Sequence, residues 1–313
     1  MFFSSGAPLA RQLLNGPARG PRLAGRPGGG RASPEGHRKS SPMLKFRSVA
    51  MLAGVSLLGA ACGGPETAQE SEAKPTWEEF QANAYREPWE GGKIIVNGDE
   101  ALESEEELKA YFQNVVEAQL GKSQDGLAVY YIGGDIKWSS TQKLNLTYCI
   151  SNNFGTNKTK VVNAMASATA AWEATASVNF TYLSQYDASC TASQTGVLFD
   201  IRPVSGQSYV ARAFFPNSSR SGRNVLIDSS AFGSLGAWTL TGVLRHELGH
   251  TLGFRHEHTR STASGCYEDN QWRALTSTYD RASVMHYPQC NGTQTGDLVL
   301  TTLDKQGARS LYP

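Results

Sequence analysis

Net charge is almost absent from this chain and cysteine is scarce. Among 313 residues, 29 Lys and Arg face 28 Asp and Glu, for a formal net charge of +1. That balance gives no case for a polyanionic partner, and no aromatic-basic pattern points to nucleic acid. Only five cysteines occur, none in a Cys-x-x-Cys pair, which argues against a four-cysteine structural zinc site. The apolar run from Val49 to Ala61 is too short to span a bilayer. Histidine is also rare. Of six histidines, five lie between His246 and His286 and only His37 lies elsewhere, a clustering that core packing does not explain.

The cluster opens with His246-Glu247-Leu248-Gly249-His250-Thr251-Leu252-Gly253-Phe254-Arg255-His256, in the spacing H-E-x-x-H-x-x-G-x-x-H. If Leu240, Val243, Leu244, Leu248 and Leu252 form the buried stripe of a helix, His246 and His250 stand one turn apart on a neighbouring face and can grip one ion. Gly253 can adopt positive φ, end the helix and turn the chain so that His256 returns to that ion. Three protein ligands leave a position open for water, the mark of a catalytic zinc site. Glu247 then stands where it can take a proton from that water as general base.

Downstream, Ser283-Val284-Met285-His286-Tyr287 completes a larger pattern. A zinc helix with a third His after Gly, followed by a turn carrying Met, resembles the metzincin metallopeptidases. The extension through Glu257 and the S-x-M-H-Y turn resemble the astacin-like branch. The stretch through Phe254-Arg255-His256-Glu257-His258-Thr259-Arg260 is most similar to the bacterial dual-action HEIGH metallopeptidases, with Leu248 standing for Ile. The resemblance implies an α+β zincin: a mixed five-stranded sheet, a zinc helix, and a smaller C-terminal subdomain from Arg255 to Pro313. It further implies one catalytic Zn²⁺, Met285 as an apolar floor beneath the ligands, and Tyr287 as a fifth ligand that can swing to the oxyanion. Glu257 matches the acid that pairs with the mature N-terminus in astacins, but reads more simply as a surface carboxylate. His258 and His286 receive no role.

Composition divides the chain. Residues 1–42 read as disordered or as a mis-assigned start, residues 43–61 as an export signal beginning at Met43, and residues 62–75 as a tether. Leu58-Gly59-Ala60-Ala61-Cys62 resembles a lipoprotein cleavage box with Cys62 as the acylated residue, while ordinary signal cleavage stays open. Removing Cys62 leaves Cys149, Cys190, Cys266 and Cys290, an even set suited to two disulfides; chain order suggests Cys149 with Cys190 and Cys266 with Cys290, among three connectivities.

Residues 62–134 carry fifteen acids against five bases, so an acidic segment precedes a mildly basic domain. Within residues 76–136, expected to be a small α+β propeptide, Lys93 to Val96 reads as a strand ending at the turn dipeptide Asn97-Gly98. A capping box at Ser104 and Glu107 opens a helix. The segment ends in Tyr131-Ile132-Gly133-Gly134-Asp135-Ile136, similar to the F-x-G-D-I of astacin proenzymes, so Asp135 is the expected latent-state zinc ligand. Residues 137–313 are expected to be the peptidase domain. Its strands fall near Leu144–Ser151, Val178–Leu183, Gly196–Val204, Tyr209–Phe215 and Val225–Asp228, with a helix over Lys160–Thr175; the Tyr209–Phe215 stretch matches the antiparallel edge that lines the cleft. The absence of Gly-Gly-x-Gly-x-Asp repeats excludes a serralysin-type β-roll. The resulting expectation is an extracytoplasmic, monomeric zinc endopeptidase made as a latent proenzyme, acting on polypeptides, with a lipid anchor as one route to the membrane surface. A zinc-containing surface-binding lipoprotein and a zinc hydrolase of non-peptide amides are the competing readings.

Overall fold

The structure, a computed structural model, describes residues 76–117, 127–259, 271–290, 292–294 and 296–313. The export signal, Cys62 and Cys266 lie outside the described residues. Among those residues no helix is long and apolar enough to cross a membrane.

The N-terminal part begins with α1 (Trp77–Asn83), whose capping box joins Thr76 and Glu79 in both directions. Short strands β1 (Tyr85–Arg86), β2 (Ile94–Val96) and β3 (Glu100–Leu102) form an antiparallel sheet. Helix α2 (Glu105–Glu117) follows. Its start is capped by Ser104 Oγ, which accepts from Glu107 N at 3.3 Å, while Glu107 reaches back to Glu103 N at 2.7 Å. The period of two along β2 sends Ile94 and Val96 into a small core with Leu108 and Tyr111, and Ile95 the other way, onto Tyr209 and Leu226. One face of this strand therefore holds the segment together, and the other docks it.

Strand β4 (Ala128–Tyr130) pairs with β10 (Trp272–Ala274). The main sheet contains β5 (Leu146–Ile150), β6 (Phe180–Tyr182), β7 (Phe199–Val204), β8 (Ala211–Arg212) and β9 (Asn224–Asp228), in the order β6-β5-β7-β9-β8. All pairs are parallel except β8 with β9. The expected mixed five-stranded α+β sheet is present, with β8 the antiparallel edge, although only two residues of the Tyr209–Phe215 stretch keep ladder geometry. Helix α3 (Lys158–Glu173) packs on α4 (Leu240–Thr251), and α5 (Thr302–Leu311) closes the chain. Trp172 of α3 is fully buried, stacks on Phe254 at 5.3 Å and donates to the Arg245 carbonyl at 2.9 Å. One large aromatic thus couples α3 to the histidine helix.

A disulfide joins Cys149 to Cys190, the first of the two expected pairs. Cys290 is also disulfide-bonded. Leu127 and Val129, ahead of the boundary expected at Ile136, belong to the main core with Val161 and Leu248. Tyr130 N and Arg255 N further bond Gly253 O and Ala128 O at 2.9 and 2.8 Å.

Candidate metal and peptidase site

Helix α4 starts at Thr239, whose hydroxyl accepts from Gly242 N at 2.9 Å. It ends where Gly253 takes φ 95°. Gly253 N bonds His250 O at 2.8 Å and Phe254 N bonds Gly249 O at 3.0 Å, the paired closure that a left-handed C-terminal glycine allows. A side chain at Gly253 would strike the Ile136 carbonyl oxygen. Only glycine meets both demands here, and the turn it makes brings His256 back against the helix.

His246, His250 and His256 are buried, and with Asp99 they offer ligand atoms that all lie within 4.8 Å of one another. Nδ1 of His246 donates to Val284 O at 2.7 Å and Nδ1 of His250 to Phe254 O at 2.8 Å, which leaves Nε2 of each with its lone pair toward the cluster. His256 Nδ1 lies 2.8 Å from the Asn97 amide. His250 Nε2 and Asp99 Oδ1 are buried without hydrogen-bond partners. Three imidazole nitrogens and a carboxylate, converging and buried, fit the donor set of Zn²⁺. Burial and the charge of His256 depress the His250 pKa well below its usual value, favouring the neutral ring a metal requires.

The fourth member is Asp99, and this corrects the expectation for Asp135. Asp135 sits in a tight turn bridged to Tyr131 and binds Arg273 through both oxygens, at 2.8 and 2.7 Å. It is a partner of β10, not of the imidazoles. Asp99 instead stands 3.4, 3.7 and 3.1 Å from Nε2 of His246, His250 and His256. Burial opposes its ionisation, yet the charges and hydrogen bonds of His256 and His246 hold it well below the usual carboxylate range. The β2–β3 hairpin puts it there: Asn97 and Gly98 take φ 49° and 97°, so the loop between Val96 and Glu100 curls tightly and aims its third residue into the cleft. A side chain at Gly98 would crowd the Tyr287 hydroxyl, 3.0 Å away. In sequence Asn97-Gly98 registers as a turn and conceals the acid that follows; the available signal is the acidic pair Asp99-Glu100 at a hairpin tip.

Glu247 is buried, with Oε2 unpartnered. Burial and the charge of Asp99 raise its pKa well above the usual carboxylate range; an ion at the imidazoles acts in the opposite sense. Met285 is fully buried, its sulfur against Gly249, where any side chain would collide with it. Tyr287 packs on His256 and His246 at ring distances of 4.4 and 5.7 Å, and burial together with Asp99 raises its pKa well above the usual tyrosine value. Asp304, which no motif marks in the sequence, accepts from Ser283 Oγ at 2.5 Å and Val284 N at 2.9 Å and so shapes the turn under the site. Glu257 is not a surface carboxylate: it is fully buried and accepts from Asp280 N at 2.8 Å. An apolar pocket lined by Val210, Ala211, Leu235, Trp238, Val243 and Leu298 opens beside His246 and Glu247.

A mixed sheet with one antiparallel edge, a histidine helix closed by glycine, a returning third histidine and a buried Met beneath them make this a metzincin-type α+β fold. Residues 137–276 match the matrixin peptidase family, a span of less than half the chain. Among solved structures, myroilysin aligns at 20% identity over 59% of this chain and 98% of that one, with a TM-score of 0.40. High choriolytic enzyme 1, a hatching-enzyme zinc protease of the medaka Oryzias latipes, aligns at 19% identity over 56% and 96%, with a TM-score of 0.37. No curated protein matches the chain.

Proposed function

We propose that the chain is an exported zinc endopeptidase of astacin-like type, held latent by Asp99. The observation that carries this is the buried set of His246, His250 and His256 with Glu247 beside it and a carboxylate in the position water would need. His246, His250 and His256 would hold the zinc, which would supply Lewis-acid chemistry toward a peptide carbonyl and a water. Glu247 accepts a proton from that water as it attacks and delivers it to the leaving amine. Tyr287, once Asp99 withdraws, turns its hydroxyl to the developing oxyanion. Met285 keeps the three imidazoles on a firm apolar base, and the pocket at Val243 and Leu298 receives a neighbouring substrate side chain.

Residues 76–117 act as the pro-segment, and the peptidase domain begins no later than Leu127, since β4 packs with the core. Export follows from residues 43–61, with Cys62 as the lipid anchor. Incubating the proteolytically activated protein with casein, with and without a chelator, tests the activity: chelator-sensitive peptide cleavage is the expected result. Glu247→Gln should keep zinc, read by metal analysis, and lose at least about a hundredfold in turnover. Activity retained in that variant would remove Glu247 as the base, and zinc binding without any peptide cleavage would favour the binding-lipoprotein reading.

A further inference from the structure

The three imidazoles of the cluster are oriented by groups of different origin. His246 and His250 point Nδ1 at backbone carbonyls of the main domain, Val284 O and Phe254 O, at 2.7 and 2.8 Å. His256 points Nδ1 at residues 76–117: one end of the Asn97 amide lies 2.8 Å away and Glu100 Oε1 3.5 Å. The same end of Asn97 lies 3.3 Å from Nε2 of His258, whose ring stacks on that of His256 at 4.7 Å. Donor and acceptor roles in this row of contacts are fixed from its far end. Tyr287 N, a backbone donor, gives its hydrogen to His258 Nδ1 at 3.3 Å, so the proton of the His258 ring sits on Nε2. The amide end nearest both rings is Nδ2, which there would face an N–H. A half-turn about the Cβ–Cγ bond leaves the outline of the amide unchanged and brings Oδ1 to the same place. Oδ1 then accepts from His258 Nε2 and from His256 Nδ1, and the neutral His256 ring keeps its Nε2 lone pair for the cluster.

Resting on the zinc site and the removable pro-segment of the reading above, we propose that residues 76–117 are also a zinc-loading element. Asn97 Oδ1 selects the metal-binding tautomer of His256, while Asp99 adds a carboxylate to the three imidazoles. Asn97 is a positioning residue, acting on the ion through His256. One hairpin tip does both: Val96 pairs with Glu100, and the three residues between them reach the ring from two sides. Asn97 lies at its Nδ1, and Asp99 stands 3.1 Å from its Nε2. The turn itself asks only for left-handed backbone at Asn97 and Gly98, φ 49° and 97°, which glycine supplies as well. The amide is therefore not required by the turn. A hydrogen bond accepted from the outer nitrogen of a metal-binding histidine fixes the ring and strengthens it as a ligand. Both contributions leave together when the segment is removed, so the ion is held more tightly before the cut than after it.

Zinc alone is titrated into the metal-free, unprocessed full chain against a fluorescent chelator of known affinity. Asn97→Gly, which keeps the left-handed turn, should weaken zinc binding about tenfold to a hundredfold. Asn97→Asp, which retains an acceptor oxygen and tolerates the same backbone, should restore most of the loss. The chain processed by limited proteolysis should bind zinc more weakly than the unprocessed one by at least the same factor. Parental affinity in Asn97→Gly, or equal losses in the Gly and Asp variants, overturns the role of the amide. A processed chain that matches the unprocessed one overturns the loading role. Nitrogen-15 shifts of the metal-free parent give a readout that needs no variant: His256 should carry its proton on Nδ1, and a proton on Nε2 overturns the proposal. None of these measurements uses peptide cleavage. Zinc binding in the expected order without any peptide cleavage therefore defeats the peptidase reading and supports the loading element, while a parent chain that binds no zinc defeats both.

Discussion

In the proposed latent form a single carboxylate, Asp99, is the latch, because it lies among the three imidazoles and interacts with Tyr287. Asp99→Ala in the unprocessed chain should unmask chelator-sensitive peptide cleavage. Asp135→Ala should leave latency unchanged, because its carboxylate serves Arg273; the same casein assay checks both, and the reverse pattern would restore Asp135 as the latch. Gly253→Ala meets both a left-handed φ of 95° and the Ile136 carbonyl. It should cost on the order of 2 kcal/mol or more in folding stability and weaken zinc retention, read by chemical denaturation and metal analysis.

Among the elements, those with strong local codes are legible in the sequence: the histidine helix with its glycine stop, the Ala-rich α3, and the β2 strand ending at Asn97-Gly98. Legibility fails where a role depends on a partner distant in sequence. Nothing around Glu257 marks it as buried, since its cover comes from the Asp280 backbone and the turn at Met285. Asp304 closes the capping box that Thr301 opens at α5, and the fold adds Ser283 and Val284 to its partners. The shortness of β8 likewise reflects its pairing with β9, where only Ala211 and Arg212 keep register. The Cys149–Cys190 bridge ties β5 to the turn after β6 across 41 residues. Replacing both cysteines by serine should lower stability by roughly 2–5 kcal/mol, measured by denaturant titration, with less effect on the chemistry of the distant histidine cluster.

For the whole molecule, stability is linked to buried ion pairs between acids of residues 76–117 and arginines of the main domain. Burial works to raise the Glu87 carboxyl, but the hydrogen bonds and charge of Arg212, with Tyr209 and Lys93 N, hold it below its ordinary value of 4.5. A carboxylate depressed in the folded state contributes stability that is fully present above its unfolded value and is lost as pH falls through the folded one. The unprocessed chain should therefore lose Tm as pH drops below about 4.5, and Glu87→Gln should flatten that part of the profile. An unchanged slope in the variant would remove Glu87 from the acid response.

If residues 76–117 are removed as proposed, strand β4 gives that processing a one-sided tolerance. Its carbonyl and amide groups suspend the loop from Gly253 to Arg255, and through it the third imidazole. Extra residues left ahead of Leu127 add only a tail. A trim that runs past Tyr130 cuts the sling from which His256 hangs, so the precision required of processing lies entirely on the downstream side, and over-trimming is expected to end in loss of metal.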